Sequence, residues 1–202
     1  MRSNARVRVL FATTLALTDA IMASVALYGG YWMRRWIPWP EQAQNIGPFA
    51  DYRVLALTHI LSIVLIFAFS NLYQVARTTS RIDEFYTVFR ATTVGTLIGI
   101  ALSSLLFKNS ALDMDYSRGM VLYGWGLSIA LITVGRITHT AVRARLRERG
   151  WGRDRLLIVG TGEVGRMVHQ KIQSNPGLGY SVVGFVTTDG SKSEVPLGAE
   201  IL

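Results

Sequence analysis

Four apolar stretches limit what this chain can fold into. A helix that crosses a bilayer needs roughly 20 predominantly apolar residues. The stretches run from about Val9 to Met33, Val54 to Tyr73, Ala91 to Phe107 and Gly119 to Gly135. Asp19 is the one charged residue of the first. The last two are short, and flanking residues that snorkel could extend them. Composition points the same way. Half of the 202 residues are hydrophobic, only 17% are charged, and the mean hydropathy is +0.30, whereas a soluble domain carries about 25% charged residues. The apolar runs all lie before residue 150, and the residues after it read as soluble. The expected fold is therefore a membrane α-helical bundle of four transmembrane helices with a basic juxtamembrane connector over 1–150. An incomplete Rossmann-like α/β unit occupies 151–202.

The first stretch does not read as a cleaved signal peptide. Its apolar length exceeds the 7–15 residues of a signal core, and no small-x-small site precedes Arg34-Arg35. It is read as a retained helix. The net charge of +8 would suggest nucleic acid in a soluble protein. Here the arginines sit beside apolar runs, so they are read as topology signals and no nucleic-acid partner is expected. With the N-terminus inside, thirteen basic residues fall on the inner side, from Arg2, Arg6 and Arg8 through Arg77, Arg81 and Arg90 to the seven between Arg136 and Arg155. Five fall outside: Arg34, Arg35, Arg53, Lys108 and Arg118. The bias places both termini on the cytoplasmic side.

The outer segment "RRWIPWPEQAQNIGPFADY" carries three of the five prolines, and its Trp36 and Trp39 fit an interfacial aromatic belt. In the inner segment, Ser80 followed by Asp83 reads as the start of a helix that continues into the third span. The chain has no cysteine, which excludes disulfides, thiolate chemistry and Cys-type zinc sites. His59, His139 and His169 are scattered, without an H-x-x-x-H pair, and no metal site is expected.

Three groups outside the soluble part invite a functional reading. Asp19 lies inside the first span, where a carboxylate is expensive and often functional; the alternative is a bundle-facing group bonded to Ser, Thr or His, with His59 on the second span one candidate. Asp83-Glu84 is an adjacent acidic pair. Neighbours on a helix diverge by about 100°, so the pair is read as a solvated helix start rather than a metal or catalytic site. In "RARLRERG", Arg143, Arg145, Arg147 and Arg149 form a polybasic segment of the kind that attracts anionic lipid, and this is also the simple positive-inside signal.

The soluble part opens with "RLLIVGTGEVGR". A short apolar strand, Arg155–Val159, runs into Gly160, Gly162 and Gly165. The first glycine permits a tight turn, the second lets a phosphate approach the backbone, and the third lets the helix pack on the strand. Glu163 to Ser174 reads as that helix, with Val164, Met167, Val168 and Ile172 as its apolar residues. Pro176 and Gly177 end it, and "YSVVGFVTTD" is a second strand. The candidate nucleotide contacts are Gly160, Thr161, Gly162, Gly165 and Asp189, the last standing where a ribose-binding acid would. Glu163 places a negative charge where a phosphate would sit, so a scaffold that binds no nucleotide stays open. "AEIL" at the end would lead to a further strand, expected to be missing.

The whole layout resembles the N-terminal half of the bacterial polyisoprenyl-phosphate hexose-1-phosphate transferases, the enzymes that initiate exopolysaccharide. The residues that carry the likeness are "LYQVARTTSRIDEF", "SRGMVLYGWGLSIALITVGR", the Arg-rich connector, "RLLIVGTGEVGR" and "GLGYSVVGFVTTDG". The resemblance implies a partial CoA-binding-like unit at the end of the chain. It also implies transfer of a sugar 1-phosphate from a UDP-sugar to undecaprenyl phosphate in the bacterial inner membrane. In that family the catalytic part, with an Asp-Glu pair and Mg²⁺, lies C-terminal to the Rossmann-like region. No catalytic residue is therefore expected in this chain, and UDP-sugar and undecaprenyl phosphate are reached only through that further part. Thr187 departs from the family's usual acidic residue. The membrane-bound nucleotide-sugar 4,6-dehydratases share the front half and stay open as an alternative, as does a non-catalytic membrane module that senses a nucleotide. Gly119, Gly124, Gly126 and Gly135 in the fourth span would permit close helix contact and a homodimer, although that span holds no strict G-x-x-x-G.

Overall fold

The computed structural model describes residues 2–39, 46–73, 81–107, 118–152, 154–160, 162–186 and 200–201. Four long helices come first: α1 (Arg2–Trp36), α2 (Arg53–Phe69, entered through a 3-10 turn at Phe49–Tyr52), α3 (Arg81–Phe107) and α4 (Arg118–Glu148). Each is long and apolar enough to cross a membrane. Then come β1 (Asp154–Val159), α5 (Glu163–Ser174), β2 (Tyr180–Val186) and a two-residue β3 (Glu200–Ile201). The chain divides into two compact units, residues 11–139 and residues 1–10 with 140–202.

The first unit is apolar outside and holds polar groups within its apolar interior. Leu17, Ile21, Leu61, Leu97 and Val134 are exposed, whereas Asp19, His59, Ser62, Thr92 and Ser128 are buried. Water would favour the reverse; a lipid surround favours this arrangement. All four helices contribute to one core, in which Ala23, Ile63, Phe67, Val88, Ala91 and Ile132 meet. A second cluster joins Leu27, Tyr31, Tyr52, Leu55 and Met120.

Glycines set the closest helix approaches. A Cβ on Gly30 would stand 2.6 Å from the Gly124 backbone nitrogen, so α1 and α4 touch main chain to main chain. Gly95 and Gly99 do the same for α3 on α2, each meeting backbone of Ile63 or His59 at 2.9 Å. These two form the strict G-x-x-x-G of the chain's spans, a motif that permits close approach, and it lies in the third span rather than the fourth. Of the fourth-span glycines, Gly119, Gly124 and Gly135 pack inside the unit against Arg34, Leu27 and Met22, and Gly126 alone has open space beside it.

The helix ends follow local rules. α2 stops at Phe69 rather than near Tyr73, because Asn71 takes a left-handed φ of 56°. The Asn71 and Leu72 N–H groups then donate to Ala68 and Phe67, closing the helix end as a Schellman motif. α4 outruns the apolar stretch by more than ten residues, since Arg, Ala, Leu and Glu are strong helix formers. It ends in the same way: Gly150, at φ 93°, donates to Arg147, and Trp151 to Leu146. Ser80, the expected cap of α3, lies outside the described residues.

In the second unit β1 and β2 pair in parallel, from Asp154↔Tyr180 to Val159↔Val186, with a register shift between Leu156 and Leu157. The short end of the chain is a third parallel strand, Glu200 and Ile201 on Gly184 and Phe185, in the order β1-β2-β3. The strand expected to be missing is thus begun within this chain. α5 keeps its expected bounds, and three of its four apolar residues do not face inward. Gly165 and His169 are buried, and Val164, Met167 and Val168 are exposed. The reason is steric: with no Cβ at Gly165 the helix settles on the Gly160 carbonyl and Ile158. One turn on, His169 meets Phe185 edge-on at 5.5 Å.

Candidate functional site

The glycine turn between β1 and α5 is built as its spacing suggests. Gly160 sits at φ 100°, a backbone state that side chains rarely adopt, and its N–H donates to the Val186 carbonyl at 2.8 Å. A Cβ on Gly165 would collide with the Gly160 carbonyl oxygen, so turn and helix depend on both glycines. Gly162 is the N-cap of α5, in extended conformation, and has open space where a Cβ would be. It carries no side chain to cap the first-turn N–H groups, which are the donors a phosphate uses at a helix start. Glu163 stands exposed beside them. Thr161 and Asp189, the other two candidate contacts, lie outside the described residues, as does Thr187.

Asp19 has a different partner from the one expected. It is fully buried and paired with Arg136, itself 3% exposed: Nε and Nη2 donate to the two carboxylate oxygens at 3.2 and 2.7 Å. His59 instead meets Ser128, 3.4 Å away. A guanidinium offers a carboxylate two parallel donors, which no hydroxyl or imidazole can match. Arg136 also donates to the Leu72 carbonyl at 3.4 Å and lies 3.8 Å from Glu84, its charge over the rings of Phe67 and Tyr73. So a residue read as a topology signal joins α1, α3, α4 and the turn after α2. Tyr73 adds a buried hydroxyl beside Asp19.

Asp83 is exposed, and Glu84 is turned toward Arg136; the pair does not converge as metal ligands. The four connector arginines do not act alike. Alternate helix positions advance by about 200°, which divides them into two i, i+4 pairs on opposite faces. Arg143 and Arg147 are buried, Arg147 lying over Gly179, whereas Arg145 and Arg149 are exposed. At the end of α1 Trp36 and Trp39 are exposed, but Arg34 folds back and donates to the Trp39 carbonyl at 3.0 Å.

A family described as "CoA-binding domain" matches residues 68–201, well over half of the chain. The chain belongs to this CoA-binding domain family. The match takes in α3, α4 and most of the second unit. The chain is also similar to a UDP-galactose-lipid carrier transferase of Erwinia amylovora, 25% identical over 114 residues. That alignment covers 56% of this chain and 22% of the relative. The resemblance to the N-terminal part of the polyisoprenyl-phosphate sugar transferases, read from the sequence, therefore holds.

Proposed function

We propose that this chain is the membrane-anchoring and regulatory part of an undecaprenyl-phosphate sugar-1-phosphate transferase, an enzyme that starts exopolysaccharide, capsule or O-antigen synthesis. The observation that carries the reading is the likeness to a UDP-galactose-lipid carrier transferase in a chain that joins four apolar helices to a glycine-turn unit. That likeness favours the sugar transferases over the dehydratases. On this reading the bundle lies in the bacterial inner membrane with both termini cytoplasmic. The second unit is one part of a Rossmann-like domain, and sugar transfer belongs to the portion of the relative that this chain does not span. Purified chain supplied with UDP-galactose and undecaprenyl phosphate is then expected to release no UMP. Sustained turnover would remove the division of labour.

The regulatory ligand fits the glycine turn. First-turn N–H groups without a side-chain cap from Gly162, and the open space beside that glycine, suit a pyrophosphate, as in coenzyme A or a UDP-sugar. Titration of the chain with either compound, followed by calorimetry, is the direct measurement. Gly162→Asp should abolish binding while leaving the fold intact, because nothing stands within 4 Å of the new Cβ. Glu163→Gln should strengthen binding about two- to five-fold, the worth of removing one like charge from a helix start. Affinity that ignores both changes would place the ligand elsewhere or nowhere.

A further inference from the structure

Among the described residues the second unit leaves three surfaces uncovered, and all three meet at β1. The first is a strand edge. The sheet order is β1-β2-β3, so β1 pairs on one side only. The N–H groups of Asp154 and Gly160 donate on the β2 side, to the Gly179 and Val186 carbonyls at 2.8 Å. Directions alternate along a strand, so the N–H and C=O groups of Arg155, Leu157 and Val159 point the other way. The second surface is the face of β1 turned from α5. Ile158 lies under α5, 3.5 Å from where a Cβ on Gly165 would stand. Its neighbours Leu157 and Val159 therefore occupy the far face, where they are 46% and 68% exposed. The third is a flank of α5. At about 100° per residue, the exposed Val164, Met167 and Val168 lie on one side of the buried Gly165, and the exposed Arg166, Gln170 and Gln173 on the other. β-α-β crossovers are right-handed almost without exception, which turns the apolar flank toward β1 and the polar flank toward β2. A crevice of about 270 Å³ joins Val168 and Ile172 of that helix to Leu156 of β1.

These are the surfaces of an interior strand. From Leu156 to Val159 β1 is apolar on both faces, as strands of a parallel sheet covered by helices are. That run has neither the charge nor the proline with which natural proteins blunt an edge. We propose that the free edge of β1 is a docking site for one further parallel strand, supplied by the part of the transferase that residues 1–202 do not span. The inference rests on the reading of the chain as part of a larger transferase. The alignment covers only 22% of the relative, which leaves that protein ample chain for the purpose. The hand of the crossover selects this occupant. From β1 to β2 the chain crosses on the α5 face. A chain that goes on from β3 to the free edge of β1 runs the opposite way across the sheet. Its right-handed crossover then lies on the other face, over Leu157 and Val159. A second copy does less. Two β1 edges pair antiparallel about a two-fold axis normal to the sheet, which sets both α5 helices on the same face and leaves Leu157 and Val159 bare. A hydrocarbon surface would cover those side chains but give the outward N–H groups no partner.

Hydrogen exchange resolved to single amides, on residues 1–202 and on the intact transferase in the same detergent, tests the site. In the shorter chain the Arg155, Leu157 and Val159 amides should exchange about 100-fold faster than those of Asp154 and Gly160, as free amides do beside bonded ones. In the intact protein all five should be protected alike. Val159→Lys should leave the melting temperature of residues 1–202 unchanged, because the side chain is exposed there, and should lower that of the intact protein by several degrees. Gln170→Lys, on the polar flank of α5, should change neither. Outward amides that stay fast in the intact protein would overturn the proposal, and UMP release by the same sample would show that the transferase reading survives it. Outward amides already slow in residues 1–202 would overturn it too, a dimeric mass pointing to a second copy and a monomeric one to a segment of this chain. A reading frame that stops at Leu202 would instead remove the transferase reading, and the proposed occupant with it.

Discussion

Arg136 stands 117 positions from Asp19 in the chain and 2.7 Å from it in space, and it is the residue whose removal should be felt most widely. A buried ion pair gains little over a well-packed apolar pair, but breaking it strands a charge, at about 3–5 kcal/mol. Asp19→Leu and Arg136→Leu should therefore each lower the stability of the bundle by about that amount, followed as reversible unfolding in mixed micelles. The double variant should recover most of the loss, because neither charge is left alone. Additive losses would mean that the two residues act separately. The same pair marks a limit of sequence reading. That Asp19 faces protein could be seen from its place in an apolar run. Its partner could not, because Arg136 closes an apolar stretch as a topology signal does, and only the folded bundle brings it inward. The left-handed Asn71 that ends α2 gives no such warning either, since a single Asn after an apolar run fits a loop equally well.

At the scale of elements, what is legible depends on how local its cause is. The bounds of α5 can be read because a glycine cap, an acidic first turn and Asn-Pro-Gly all act within a few residues. The inward face of the same helix cannot. Val164, Met167 and Val168 look like a core stripe, yet the small Gly165 decides which side meets the sheet. Gly165→Ala should accordingly cost the second unit about 1–3 kcal/mol through overpacking, while Gly162→Ala should be close to neutral. Thermal unfolding followed at the β1–β2 pair by hydrogen exchange would separate the two. Between helices the same contrast applies. Gly99→Leu would drive a branched side chain into the His59 backbone and should part α2 from α3, lowering the melting temperature of the bundle. Gly126→Leu adds a side chain to open space and should not. If Gly126→Leu instead lowers the apparent mass of the particle on sizing, a second copy packs there, and the homodimer expected from the fourth-span glycines rests on that one residue.

For the whole molecule, the question is which way the bundle is threaded. Burial changes the count that bears on it. Of the residues that the sequence assigns to the inner side, Arg136, Arg143 and Arg147 are buried, and of those it assigns to the outer side, Arg34 is. Removing them from the thirteen and the five leaves ten against four, so the bias keeps its sign. Orientation is set by basic residues close to span ends. The exposed Arg145 and Arg149, just beyond the apolar part of α4, stand where that signal is strongest and where an anionic inner leaflet would hold them. A fluorescent reporter that matures only in the cytoplasm, fused after Leu202, should thus be bright, and a periplasmic phosphatase at the same point should be inactive. Replacing Arg145 and Arg149 by Gln should shift only a small fraction of molecules, since eight inner residues remain. Moving the same two charges to the outer segment beside Arg53 would bring the two sides to eight and six. That variant should give a mixed population in which both reporters register. A fusion that reports the periplasm in the unaltered chain would invert the bundle and carry the glycine turn away from every cytoplasmic nucleotide.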